Sequence, residues 1–343
     1  MRWLSLFAYI VRRCVAGVAL LIVMSMVTFL LFFASPVDPA RLSCGKNCSP
    51  ALMEQTRKAL GYDTPVYVQW ADFAKGVFSG RDYPNDPELK KTAPETVAHC
   101  PAPCLGYSVK QTNNVTDLIK DAIPVSLSLA LFAFVLWISG GVLFGVIAAL
   151  KRGTLIDRGI VGVSLVAYAF PTFFIGLLLY RIVAIKWELT PIPKYVSIAD
   201  GGIWTWFQGL WLPGLTLALF FMAGYVRMTR AFVLESMGED YLRTAKAKGL
   251  PRRKVVYKHS LRAALTPLVT MAGLDLAGVV GGAIITETVF NYPGLGKLAV
   301  RAATDQDLPT MVGIVILLAS FVILANLVVD LLYAVIDPRV RVG

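Results

Sequence analysis

Val15–Ala34 reads V-A-G-V-A-L-L-I-V-M-S-M-V-T-F-L-L-F-F-A, a run of 20 residues without a charge, preceded by Arg12, Arg13 and Cys14. A helix needs about 20 apolar residues to cross the hydrocarbon core of a bilayer, so this run is a membrane span. A secretory leader is the competing reading, but the run is too long and lacks an A-x-A cleavage pattern; an uncleaved anchor is expected. Outward from it lie five comparable runs: Ile123–Leu150, Gly159–Tyr180, Ile203–Val226, Ala263–Thr286 and Leu308–Ile336. Six transmembrane helices in an all-α polytopic membrane protein are therefore predicted. Composition agrees. Of 343 residues, 56% are hydrophobic and only 16% charged, against about 25% charged in a soluble domain. Soluble, disordered and collagen-like classes are excluded. The net charge of +11 is not gathered into one soluble basic domain, which argues against a nucleic-acid partner.

The basic residues set the orientation, because short cytoplasmic loops collect Lys and Arg. With the N-terminus inside, segments 1–14, 151–158, 227–262 and 337–343 carry 3, 3, 10 and 2 basic residues, whereas the external loops 181–202 and 287–307 carry 3 and 2. Both termini are expected in the cytoplasm. The first external loop, 35–122, has 10 basic and 10 acidic residues and is too long for its charges to report topology. The expected layout is a cytoplasmic segment and first span over 1–34, an extracytoplasmic insert over 35–114, a transmembrane core over 115–336 and a cytoplasmic tail over 337–343.

Four cysteines lie in the insert as two C-x3-C pairs, Cys44/Cys48 and Cys100/Cys104. Outside the cytoplasm thiols oxidise, so two disulfides are expected. Of the three possible pairings, bridges from Cys44/Cys48 to Cys100/Cys104 are favoured, since closing the larger ring removes more unfolded-state entropy. A zinc site competes, but only His99 stands near and C-x2-C is the commoner spacing. Cys14, at the start of the first span, reads as a packed thiol. Ser49-Pro50 starts a helix that Gly61 ends. Pro65 to Ser79 forms a second, with Val66, Trp70, Phe73 and Val77 on one face; the stripe could lie on the membrane surface or dock on the other spans, and packing against the spans is the preferred reading. Asn47-Cys48-Ser49 and Asn114-Val115-Thr116 fit a glycosylation sequon, relevant only in a eukaryotic secretory pathway.

Enzymatic chemistry has no visible seat. No G-x-x-x-x-G-K-[ST] occurs; Gly45-Lys46-Asn47 and Gly296-Lys297-Leu298 are the nearest approaches. So no cofactor is expected in this chain. No H-E-x-x-H or G-x-S-x-G occurs, and His99 and His259 fall on opposite sides of the membrane. Asp275 and Asp330 are single acids on different spans. An intramembrane acid is a candidate for proton coupling or polar passage; the plainer alternative is a hydrogen bond to a neighbouring helix, favoured for Asp330.

The cytoplasmic stretch Glu235–Pro267 reads E-S-M-G-E-D-Y-L-R-T-A-K-A-K-G-L-P-R-R-K-V-V-Y-K-H-S-L-R-A-A-L-T-P. Glu239 to Lys248 suits a short helix, with acids at its start and Lys246 and Lys248 in its last turn. Gly249 supplies a left-handed stop and Pro251 restarts a helix. Ala245, Ala247 and Gly249 are small enough to admit another protein's surface. A solvated basic loop is the bland alternative; the helix–Gly–Pro–helix build favours docking.

Tyr241–Leu250 with Leu261–Pro267 resembles the coupling motif of ABC importer permeases, in the version of the dipeptide/oligopeptide/nickel family. Ser35–Pro39, Ile123–Ser126, Lys151–Arg158, Glu287–Gly296 and Asp330–Arg339 match as well, so the resemblance covers nearly the whole chain. Thr244 stands where the plain motif has Glu, and the four-cysteine insert is a second departure. The resemblance implies a type I ABC importer permease fold and a subunit of an ATP-driven importer of di- and oligopeptides in a bacterial inner membrane. Its implied partners are a second homologous permease, two cytoplasmic ATPases that bind ATP and Mg, an extracytoplasmic peptide-binding protein and the lipid bilayer. Glu239, Asp240, Tyr241, Leu242, Arg243, Thr244, Ala245, Lys246, Ala247, Lys248 and Gly249 would carry the ATPase contact. Asp275, Glu287 and Asn291 would lie along the substrate path, with Glu287–Gly296 at the outer mouth. Gly141-x3-Gly145, and Gly273, Ala277 and Gly281 at four-residue steps, permit close helix crossings. A stand-alone secondary transporter or channel using Asp275 is the alternative, as is nickel or haem cargo; no inverted repeat supports the former.

Overall fold

The computed structural model describes residues 2–33, 38–44, 48–84, 95, 97–251 and 254–336. Ser35–Val37, Asn47 and the tail 337–343, to which the sequence assigns motif pieces, lie outside the described residues. All six apolar runs fall on helices. The chain starts with α1 (Arg2–Phe33), followed by α2 (Pro39–Cys44), α3 (Pro50–Leu60) and α4 (Val66–Ser79). Two short antiparallel pairs follow: β1 (Arg81–Tyr83) with β2 (Ala98–Cys100), and β3 (Tyr107–Ser108) with β4 (Asn113–Asn114). Then come α5 (Val115–Leu150), α6 (Leu155–Ala169), α7 (Thr172–Leu179, running into a π-helical turn over Tyr180–Lys186), α8 (Ile198–Gly238) and α9 (Asp240–Ala247). After a π-helical Val255–Ser260 the chain ends with α10 (Leu261–Gly282), α11 (Ile284–Val289), α12 (Leu295–Thr304) and α13 (Leu308–Ile336).

Four described helices are long and apolar enough to cross a membrane: Ile10–Phe32, Val115–Leu150, Ile198–Gly238 and Leu308–Val328. A fifth candidate is the pair of α6 and the helix Thr172–Lys186, which meet at 101°. The expected straight span Gly159–Tyr180 is therefore broken. Pro171 disfavours helical geometry in the residue before it, and Phe170 is extended (φ −88, ψ 137). Both residues are apolar enough to vanish into a hydropathy pattern.

The chain divides into two compact units, one of 1–124 with 294–324, the other of 125–293 with 325–341. In the first, helices α3 and α4 form where the sequence places them. Ser49 Oγ accepts from the Leu52 amide at 3.2 Å, and Gly61 closes α3 at φ +72. Phe73 of α4 meets Phe29 of α1 at 4.9 Å between ring centroids, joined by Val312 of α13, with Val66, Trp70 and Val77 packed around them. The apolar stripe of α4 thus docks on two spans. Asp307 is buried and accepts from Ser108 Oγ (2.5 Å) and Thr310 Oγ1 (2.7 Å), fastening β3 to the start of α13. Burial pushes the Tyr62 hydroxyl up to about 12.

The disulfides are Cys44–Cys48 and Cys100–Cys104, each with Cα atoms 5.5 Å apart. The expected bridges between the two pairs are not formed. Ring entropy lost to reach: each C-x3-C turn already brings its own Cα atoms to an ordinary bridging distance. Cys14 is free and exposed on α1 rather than packed, because α1 is largely uncovered by its neighbours (11% of its apolar window is buried).

In the second unit α8 is central, with 61% of its apolar window buried. Gly141 and Gly145 of α5 let it approach: a Cβ on Gly141 would stand 2.5 Å from Tyr225 Cβ, and one on Gly145 2.5 Å from Thr229 Cβ. Val146 and Ala149 of α5 then pack with Val233 of α8 and Ala264 of α10.

Two tests follow from these contacts. Gly145→Ala should lower the detergent-solubilised melting temperature by several degrees, as roughly 1–3 kcal/mol of overpacking demands. Gly159→Ala, whose added Cβ meets nothing within 4 Å, should leave it unchanged. Cys44→Ser should free one thiol, at Cys48, leaving Cys100–Cys104 closed in non-reducing peptide maps. A free thiol at Cys100 or Cys104 instead would restore the long-ring pairing.

Candidate functional site

Element α9 is an eight-residue helix held from one side by its own chain. Leu242 and Ala245, three residues apart and so on one face, are 1% and 9% exposed and pack with Val255 and Leu250. Glu239, Asp240, Tyr241, Arg243, Thr244, Ala247, Lys248 and Gly249 are exposed. Lys246 lies on the helix, and its side chain is outside the description. Sequence reading grouped Ala245 with the small residues open to a partner; the structure turns it inward instead, because it shares the face of Leu242. Gly249 sits at φ +76, the left-handed region that glycine enters without steric cost. The Leu250 amide donates to the Ala245 carbonyl at 3.3 Å and the Lys254 amide to Pro251 O at 2.8 Å, so the Gly-Leu-Pro turn links α9 to the helical segment after it.

Ser236, buried near the end of α8, donates to the Ser260 carbonyl at 3.1 Å, and its Oγ lies 3.3 Å from the Tyr241 hydroxyl. One hydroxyl therefore ties the entry to α9 to the entry of α10. The exposed Arg243–Asp240 pair at 3.4 Å adds little, as solvent-exposed ion pairs do.

The expected path residues sit in separate contacts. Asp275 Oδ2 accepts from the Tyr225 hydroxyl of α8 at 2.6 Å, a bond between neighbouring helices. Glu287, expected at the outer mouth, is 1% exposed, and its Oε1 accepts from Ser126 Oγ at 2.5 Å. A carboxylate so enclosed does not face an aqueous mouth. Asn291 is exposed at φ +58, a conformation Asn tolerates, in a turn where the Tyr292 hydroxyl donates to Gly209 O at 2.6 Å. Asp330 lies on α13, with its side chain outside the description.

Sequence reading missed one further cluster. Asp157, 4% exposed, accepts from Arg230 Nε at 2.7 Å and Nη2 at 2.9 Å, and from the Gly153 amide at 2.9 Å. The available signal was a lone acid in the otherwise basic loop 151–158.

Comparison with known proteins defines the class. The description "Binding-protein-dependent transport system inner membrane component" matches residues 141–342, and its N-terminal counterpart matches residues 6–130. The probable peptide ABC transporter permease protein y4tP of Sinorhizobium fredii is 34% identical over 333 residues, covering 97% of this chain and 99% of that protein. The dipeptide transport system permease protein DppB of Escherichia coli K12 is 34% identical over 356 residues, covering 97% and 98%. A chain of the MetNI methionine ABC transporter, solved in inward-facing conformations, shares the fold at TM-score 0.50 and 18% identity, over 65% of this chain and 97% of its own. The chain therefore belongs to the family of inner membrane components of binding-protein-dependent transport systems. It is an ABC-type permease, a multi-pass membrane component that works with ATPase and substrate-binding partners and is not itself an enzyme. That membership sets aside the stand-alone transporter reading.

Leu242→Ala removes the one large side chain that seats α9. A buried Leu truncated to Ala costs about 2–5 kcal/mol, enough to unseat so short a helix. Limited proteolysis should then cut within 239–251 of the membrane-inserted chain much faster than in the wild type, while Tyr241→Ala, which is exposed, should change the rate little.

Proposed function

We propose that this chain is one of two homologous permease subunits of an ATP-driven importer of di- and oligopeptides. Two cytoplasmic ATPases would each receive one permease's coupling helix, and an extracytoplasmic peptide-binding protein would deliver the cargo. Both termini face the cytoplasm in this reading. ATP and Mg belong to the ATPases. The observation that carries the proposal is α9: a polar helix seated by Leu242 on its own chain, with Tyr241, Thr244 and Lys248 along its outer face. Peptide cargo is supported by the relatives, whose names specify peptide or dipeptide transport.

The ten basic residues of 227–262 support the cytoplasmic placement of this loop under the charge bias of membrane proteins. The mechanical role asked of α9 is modest. It must transmit a displacement, so it needs a fixed seat inside and a complementary surface outside, and it needs no reactive group.

Purification of the tagged chain from its native cells in gentle detergent tests the assembly. A second permease and one or two P-loop ATPases should accompany it; a chain that purifies alone and moves solute in liposomes without ATP would overturn the reading. Gly249→Pro tests the coupling element, since proline locks φ near −65° where the chain needs +76. Uptake of a radiolabelled dipeptide should fall to background with membrane insertion unchanged. Wild-type uptake in that variant would remove α9 from the coupling path.

A further inference from the structure

The Asp157–Arg230 cluster is the most completely built polar site at the cytoplasmic end of the chain, and no step above uses it. Asp157 stands in the first turn of α6, four residues after Gly153. Its side chain is 5% exposed, and both carboxylate oxygens are engaged: Oδ1 by Arg230 Nε, and Oδ2 by Arg230 Nη2 together with the Gly153 amide. Gly153 is at φ +80, so the turn that presents its amide is one other residues enter only with strain. The same turn is closed by Thr154, whose Oγ1 donates to the Lys151 carbonyl at 2.6 Å. The loop between α5 and α6 is thereby gripped, through one carboxylate, by the guanidinium fork of α8. A bidentate fork fixes orientation as well as distance.

The extended Glu239 separates α8 from Asp240, the first residue of α9. Arg230 stands eight residues before Gly238, the last residue of α8, which is about 12 Å of rise. Between them Val233 packs on Ala149 of α5 and Ala264 of α10, and Ser236 bonds Ser260 O. Farther along α6, Tyr168 stacks on Phe220 at 5.2 Å, and the Arg227 guanidinium lies 4.6 Å from the Tyr168 centroid. So α6 and α8 are joined by the ring contacts of Tyr168, and by one directional ionic grip at the end nearest α9.

Resting on the coupling role proposed for α9, we infer that Asp157 and Arg230 are positioning residues. They lock the α5–α6 loop to the stem of the coupling helix, so that displacement of α9 moves α5, α6 and α8 together. Neither residue touches cargo or nucleotide. Losing the grip lets α9 move on α8 without carrying the α5–α6 hairpin, and ATP is then hydrolysed without transport.

The test is the coupling ratio, peptide taken up per ATP hydrolysed, in proteoliposomes holding equal amounts of the assembled transporter. Asp157→Asn keeps the size of the side chain and removes its charge; Arg230→Lys keeps the charge and removes the fork. Asp157→Asn should lower the ratio about tenfold with hydrolysis retained, and Arg230→Lys by a few-fold, the range expected of a coupling free energy between sites. If Asp157→Asn fails to assemble, Arg230→Lys decides alone. A ratio within twofold of wild type in the assembled variants overturns the inference, as does a fall of uptake and hydrolysis in equal proportion, which marks a merely structural pair. Absence of ATP-driven peptide uptake by the wild-type assembly would instead strike the proposed function.

Discussion

The second unit depends on one close approach, the crossing of α5 over α8 at Gly141 and Gly145. Without side chains there, the α8 backbone around Tyr225 to Thr229 comes within the distance a single Cβ would occupy. In lipid no hydrophobic drive separates helix–helix from helix–lipid contact, so association relies on van der Waals fit and hydrogen bonds. Tyr225 shows both at once: its Cβ fills the space over Gly141 while its hydroxyl reaches Asp275 on α10. Small residues on α5 thus position the polar link between α8 and α10.

From that crossing the ordering passes to the ends of these helices nearest α9. Val146, Ala149, Val233 and Ala264 bring α5, α8 and α10 together, and buried side chains then secure the connections between them: Ser236 to Ser260 O, Leu242 under α9, Asp157 to Arg230. Each is a short-range fixing of a loop to a helix. Buried polar groups cost free energy unless paired, and these pairings are made within the chain, while the polar outer face of α9 stays exposed.

Much of this was legible in the sequence. Apolar runs located the long helices, Ser49-Pro50 and Gly61 marked the ends of α3, and Gly249-Leu250-Pro251 marked the stop of α9. The bend after α6 was not legible, because Phe170 and Pro171 break helix geometry without breaking hydropathy. The disulfide pairing was misread, because ring entropy says nothing of the local turn that sets the Cα separation. The inward face of Ala245 and the burial of Glu287 depend on which side of a short helix meets its neighbours, and helices of eight and six residues offer too few turns for periodicity to settle that. Asp157 stayed hidden for a related reason. Its partner lies 73 residues away, and a single acid among basic residues reads as surface charge until the fold encloses it.

A permease of this kind holds no phosphate-binding loop, and among the described acids Asp275 and Glu287 accept hydrogen bonds from a tyrosine and a serine of neighbouring helices. Work must therefore enter from outside, through a surface. For a displacement at such a surface to become movement of spans, the surface must be stiffly attached to them, and the stiffness must lie across helices as well as along one. Apolar packing resists separation but lets helices slide, since dispersion contacts re-form at nearby registers. A buried, bidentate ion pair does not slide: shifting it by one ångström loses its directional bonds and exposes an uncompensated charge. That kind of contact stands at the end of α8 nearest α9, where the one buried Arg–carboxylate fork among the described residues joins α6 to α8.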